Sequence, residues 1–279
     1  MNISLNFPAH TTQKVRASRY LLTVCFICSV TLGFGQRKIS FDHVEPPNWW
    51  VGMKNNAVQI LFHNQNEDLS TFKATVSYDG VALKESKTVG NPHYHFVTLE
   101  ISGDAKPGKV PIVFAAGRRS VTYHYELKAR SEAPNRIQGF DASDVLYLIM
   151  PDRFANGDPA NDVIPGMLDG MNRAEGGARH GGDLKGITEH LDYIKDLGVT
   201  AIWLNPVLEN DQKKSSYHGY AITDLYNVDE RFGGNSAYQT FIDKSHEMGL
   251  KVIQDMVMNH IGNDHWLMHD PPQQDWVHR

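Results

Sequence analysis

Three apolar runs, at residues 145–149, 200–204 and 250–257, are separated by stretches whose apolar residues recur at helical spacing. Few folds accept that order. In the first interval Leu184, Ile187, Leu191, Ile194 and Leu197 lie three or four residues apart, and Gly198 stands where a helix ends. In the second, Phe241, Ile242 and Met248 precede Gly249. The spacing predicts one helix over residues 184–197 and another over 236–248. Strand, helix, strand, helix, strand implies parallel strands with right-handed crossovers, as in a barrel or an open doubly wound sheet. The unbroken apolar run at residues 145–149 predicts a strand buried on both faces, and the third strand is expected over 250–257. No Gly-x-Gly-x-x-Gly follows any strand, which disfavours a dinucleotide fold and leaves a TIM (β/α)8 barrel preferred. Chemistry in such barrels gathers past the C-terminal ends of the strands, where Asp152, Asn205, Asp255, Asn259 and His260 fall.

Upstream the period is two. Phe72, Ala74, Val76 and Tyr78 alternate with polar neighbours up to Asp79-Gly80; Val110, Ile112 and Phe114 do likewise, as do Val121, Tyr123, Tyr125 and Leu127. Short strands punctuated by Gly, Asn and Pro predict an immunoglobulin-like β-sandwich over residues 36–130. Adjacent Trp49 and Trp50 point to opposite faces of an extended segment. Two rings packed against other parts of the protein is the preferred reading, and a sugar-stacking platform is the other. Residues 131–142, with Ser131, Pro134 and Asn135, read as a linker to a partial barrel over 143–279.

At 279 residues, 41% hydrophobic and 21% charged, the chain has an ordinary globular composition and room for about two domains. A net charge of -5 without a basic, aromatic-laced cluster argues against nucleic acid as a partner. Lys14, Arg16 and Arg19 precede an apolar stretch at residues 20–34, which reads as a signal peptide over 1–35, cleaved near Gly35, with export to the periplasm or beyond. An uncleaved anchor is the alternative. Cys25 and Cys28 lie inside that stretch, so a mature chain has neither disulfide nor thiolate chemistry.

In the order Gly198-Val199-Thr200-Ala201-Ile202-Trp203-Leu204-Asn205-Pro206, Tyr217-His218-Gly219-Tyr220 and Asp255-Met256-Val257-Met258-Asn259-His260, the chain resembles the α-amylase superfamily, glycoside hydrolase family 13. The likeness is to its neopullulanase and cyclomaltodextrinase branch, whose N-terminal sandwich residues 44–53 also resemble. The resemblance implies that Tyr220 stacks on a sugar ring, that His218 and His260 donate to its hydroxyls, and that Asp255 orients the site. It implies α-glucan oligosaccharides or cyclodextrins as substrates and allows a homodimer through the sandwich.

The loop at residues 156–162 concentrates oxygen donors, which suits Ca²⁺ as well as a set of Asx turns. The resemblance favours a structural Ca²⁺ held by Asn156, Asp158, Asn161, Asp162, Gly181 (through its carbonyl) and Asp183. Retaining hydrolysis needs two carboxyl groups about 5–5.5 Å apart. The family carries them after its fourth and fifth strands, with a further aspartate after the seventh. This sequence matches three strands and the start of the inserted B domain. The expectation is therefore the N-terminal part of an exported enzyme, inactive by itself and poorly folded beyond the sandwich. A non-catalytic glycan-binding or dimerisation module is the alternative; an aldolase-like barrel would need a strand-end lysine, which none of the three strands offers.

Overall fold

The computed structural model describes residues 39–132 and 139–277. The signal-peptide reading, with Cys25, Cys28 and Gly35, lies outside the described residues, as do Pro134 and Asn135 of the linker.

Alternating side chains build two four-stranded sheets. One runs in the order β1 (His43–Glu45), β3 (Ala57–His63), β6 (Tyr94–Ile101), β5 (Val81–Thr88); the other β2 (Asn48–Trp50), β8 (Arg119–Lys128), β7 (Gly108–Ala116), β4 (Lys73–Val76). All pairings are antiparallel except that of β2 with β8. Ile60, Phe62, Val97 and Leu99 of the first sheet meet Val110, Ile112, Phe114, Tyr125 and Leu127 of the second in one core. The alternation at residues 72–78, 110–114 and 121–127 thus corresponds to β4, β7 and β8. Strands β3 and β6 lack it because their outer face is covered too: Leu61, Tyr94 and Phe96 pack under Trp266 and Leu267. The tryptophan pair departs from the preferred reading. Trp49 is partly buried against the sandwich core, whereas Trp50, pointing the other way on an edge strand, is 37% exposed.

Beyond residue 139 the period changes as expected. Strands β9 (Leu146–Ile149), β10 (Ala201–Leu204) and β11 (Lys251–Gln254) pair in parallel in the order β11-β10-β9. The short helix α1 (Pro151–Phe154) follows β9; α2 (Leu184–Glu189) and α3 (Leu191–Asp196) lead to β10, and α4 (Gly234–Glu247) leads to β11. Leu184, Ile187, Ile194 and Phe241 from these helices bury one face of the sheet, at Tyr147, Ile149, Ile202, Leu204 and Val252.

Three expectations need correction. The helix over 184–197 is two helices, broken at His190, where Thr188 Oγ1 donates to Leu184 O (2.6 Å) and the His190 ring meets Gly186 O (2.7 Å), side-chain bonds that compete with helical backbone pairing. The third strand ends at Gln254 rather than 257, releasing Asp255 from the ladder. Residues 145–149 are not buried on both faces, since Leu146 and Leu148 are 43% and 56% exposed and Trp203 beside them is 38% exposed. Apolar residues there face the inside of the barrel's curve, which three strands do not close. Both β9 and β11 are sheet edges. Amide hydrogen exchange is accordingly expected to run at least about tenfold faster in β9–β11 than in β3, β6 and β7. Equal protection of the two groups would contradict this.

Candidate functional site

Asp255 is the first residue past β11, and its Oδ2 accepts from Tyr220 Oη (3.1 Å) and from Trp203 Nε1 on β10 (3.2 Å). Tyr220 arrives on the loop that follows β10. Buried Asn205 anchors that loop by donating Nδ2–H to His218 O (3.2 Å). Gly219 permits the turn, because its φ is +83° and a Cβ there would collide with the Pro206 carbonyl. Tyr220 then donates its backbone N–H to His218 Nδ1 (2.9 Å), and its carbonyl accepts from His260 Nε2 (2.8 Å).

The structure therefore gathers Tyr220, His218, Asp255 and His260 on one rim. Tyr220 is 38% exposed, leaving ring surface open to a ligand. Burial and the adjoining Asp255 carboxylate raise its hydroxyl above the usual range, so it stays a donor at neutral pH. Burial lowers His218, favouring the neutral ring. With Nδ1 accepting from Tyr220, its proton resides on Nε2 as a free donor. Asn259 is exposed beside His260. Asp152 is not a rim group: it is 1% exposed and accepts from the backbone N–H groups of His180 and Gly181.

Beneath the rim lies a buried ionic cluster that sequence reasoning missed. Asp229 takes a two-pronged bond from Arg231 (Nε to Oδ1 2.9 Å, Nη2 to Oδ2 2.7 Å), and Arg179 Nη1 stands 3.8 Å from Oδ2. Burial alone would push the Asp229 carboxyl up, but the Arg231 bond and the Arg179 charge hold it below the usual range. Arg231 also donates to Asp169 O and Asn210 O, and Asn210 donates to Ser216 O (2.6 Å), one residue before Tyr217. The cluster thereby ties the segment before α2, through Asp169 and Arg179, to the connection that carries Tyr220. The Asp-x-Arg spacing of Asp229 and Arg231 was the available signal, because a loop pair two residues apart suits a local bidentate bond.

The residues expected to hold a cation contact one another in two groups, Asn156 with Asp162 and Gly181, and Asp158 and Asn161 with Asp183. Gly181 has a φ of +81°, and a Cβ there would meet Asp162 Oδ1, Asn156 Nδ2 and Met171 Sδ. Asn156 donates to Asp162 Oδ1 (2.7 Å), and Asn161 Nδ2 lies 3.4 Å from Asp183 Oδ2. The Oδ1 atoms of Asn156 and Asn161 are buried without a hydrogen-bond partner. Orphaned amide oxygens beside a carboxylate fit a hard cation with an all-oxygen shell. Asp183 and Asp158 are engaged otherwise: Asp183 receives the N–H groups of Asp158 and Gly186 (2.8 and 2.7 Å), and Asp158 caps Ala160 N (3.1 Å).

Residues 148–278 match the alpha-amylase catalytic domain, and residues 43–131 match the cyclomaltodextrinase N-terminal domain. The periplasmic alpha-amylase of Escherichia coli (strain K12) is 40% identical over 129 residues, covering 42% of this chain and 19% of that protein. Neopullulanase 2 of Thermoactinomyces vulgaris is 38% identical over 130 residues, covering 45% of this chain and 21% of the relative. A crystal structure of an Anoxybacillus alpha-amylase is 43% identical, with a TM-score of 0.45, and covers 49% of this chain and 28% of that one. The chain spans about a fifth of the length of these two curated relatives.

Proposed function

We propose that this chain is part of the α-amylase family, in its neopullulanase and cyclomaltodextrinase branch, and that its rim binds one glucose unit of an α-1,4-glucan or cyclodextrin. The observation that carries the reading is the linkage of Tyr220 Oη to Asp255 Oδ2 with His260 on the Tyr220 carbonyl. These contacts hold an aromatic face upright beside donors and acceptors, which is what a pyranose presents in reverse: an apolar ring face edged by hydroxyls. In this assignment Tyr220 stacks, His218 Nε2–H and His260 donate to hydroxyls, and Asp255 fixes the Tyr220 ring while accepting from the sugar.

Asp255 is the carboxylate this rim contributes. Cleavage with retention takes a nucleophile and an acid about 5–5.5 Å apart. The three strands are therefore assigned binding and orientation. The 279 residues by themselves are expected to bind sugar without cutting it. Calorimetric titration of the full chain with maltotriose and with β-cyclodextrin, alongside a reducing-sugar assay, tests this; no heat of binding, or release of glucose, would each overturn it.

Export belongs to the same reading. It is supported by the basic residues Lys14, Arg16 and Arg19 ahead of an apolar stretch, and by the periplasmic designation of the Escherichia coli relative. Among the described residues no helix is long and apolar enough to cross a membrane.

A Ca²⁺ ion at Asn156, Asn161, Asp162 and the Gly181 carbonyl, with Asp158 and Asp183 in attendance, would join the loop after β9 to the one before α2. Bound there, it would neutralise Asp162 and give the two orphaned amide oxygens a partner. Stripping the cation with EGTA is expected to lower the melting temperature by roughly 5–10 °C, and Ca²⁺ is expected to restore it. An Asp162→Ala variant should be indifferent to both additions; if it responds like the parent, calcium binds elsewhere.

A further inference from the structure

A few residues past the rim's His260, the segment after β11 crosses to the sandwich. Its helix α5 (Trp266–His269) lays Trp266 flat on His43, at 4.0 Å between ring centroids, and Asp270 directly behind it lands between two histidines. Asp270 Oδ2 lies 2.9 Å from His63 Nε2 at the end of β3 and 2.8 Å from His93 Nδ1 just before β6. Among the described residues, this is the one group of three side chains of the histidine, cysteine and carboxylate class whose ligand atoms lie within 4.8 Å of one another.

We propose that His63, His93 and Asp270 form a structural zinc site that staples the segment after β11 to the sandwich. Two imidazoles and one carboxylate are a donor set that suits Zn²⁺, with water as a fourth ligand. The site is open on that side, since the side chains of His93 and Asp270 are 33% and 24% exposed. Bonds of about 2.0–2.1 Å in a tetrahedron set ligand atoms about 3.3 Å apart, so each present N···O separation has to widen by about half an ångström. Rotation of the carboxylate about its other oxygen supplies that movement. Oδ1 is held by Asn91 Nδ2 at 2.5 Å, and Tyr94 Oη holds the Asp270 carbonyl.

The protons also have somewhere to go. His63 Nδ1 is buried with no partner, so the Asp270 carboxylate alone holds the ring proton on Nε2. With the ring protons on His63 Nδ1 and His93 Nε2, the lone pairs of His63 Nε2 and His93 Nδ1 face the ion, and two neutral rings ligate without net proton release. Such an ion closes the long loop from β3 to Asp270, and its binding energy is then stability of the joined domains.

The test uses the full chain, freed of metal with a chelator and dialysed against ZnCl₂. One equivalent of zinc measured by mass spectrometry is expected, lost in both Asp270→Asn and His93→Gln. Cobalt in place of zinc should give the visible bands of a four-coordinate site. Zinc should raise the melting temperature of the parent by roughly 5–10 °C and leave both variants unmoved. His93→Gln is half-exposed and keeps a donor for Asp270, so it serves if Asp270→Asn fails to fold. No zinc uptake by the parent, or equal uptake and equal stabilisation in His93→Gln, overturns the proposal and leaves the trio as a hydrogen-bonded clasp.

Discussion

Replacing Asp229 by alanine is expected to lower the stability of the chain by about 3–5 kcal/mol, the cost of stranding buried charge without its partner. Arg231 and Arg179 are 1% exposed each, and both lean on the Asp229 carboxylate. The same carboxylate also caps its own turn by accepting from Arg231 N (2.9 Å), and it holds the distant Asn210 N (3.2 Å). Its removal should therefore loosen the loops at Asn210 and Ser216 as well as unpair two guanidinium groups. A drop in melting temperature of roughly 10 °C by circular dichroism is the readout. Replacing the charges together, Asp229→Leu with Arg231→Met, should recover part of the loss, because an apolar pair strands no ion. A shift below about 2 °C in Asp229→Ala would show that the cluster does not hold these loops.

The second large effect is on binding. Tyr220→Ala removes the surface that would cover a sugar face, worth about 1.5–3 kcal/mol for a buried aromatic ring, so affinity for maltotriose should fall roughly ten- to a hundredfold. Tyr220→Phe keeps the ring and loses the bond to Asp255, and its cost should stay below about tenfold. The order of the two variants separates stacking from hydrogen bonding. Calorimetry that finds Tyr220→Ala within about twofold of the parent would remove Tyr220 from the site.

Much of the scaffold was legible because burial on one face writes itself as period. Strands β4, β7 and β8 alternate, and α4 has its apolar spacing and a glycine at its end, Gly249 with φ +76°. The failures share a cause. Strands β3 and β6 are covered on their inner face by the sandwich core and on their outer face by residues 266–276, which no local pattern announces. Apolar character at residues 145–149 was read as double burial, but it marks a surface shaped for a closed barrel, and Leu148 lies open. The break at His190 depends on two side-chain bonds to helix carbonyls, below the resolution of spacing arguments.

The rim was legible through short motifs whose members meet only in three dimensions. Tyr220 and Asp255 stand thirty-five positions apart and share a hydrogen bond. The Asp229 cluster was legible at most as an Asp-x-Arg spacing, since charged loop residues ordinarily face water and only packing reveals that Arg179 and Arg231 do not.

Residue-resolved NMR of the full chain titrated with maltotriose tests the central claim most directly. The resonances of Trp203, His218, Tyr220, Asp255 and His260 should shift together along one saturable curve, while those of Trp49 and Trp50 stay in place. Shifts confined to the two sandwich tryptophans would place sugar recognition on the N-terminal domain and contradict the assignment of the rim.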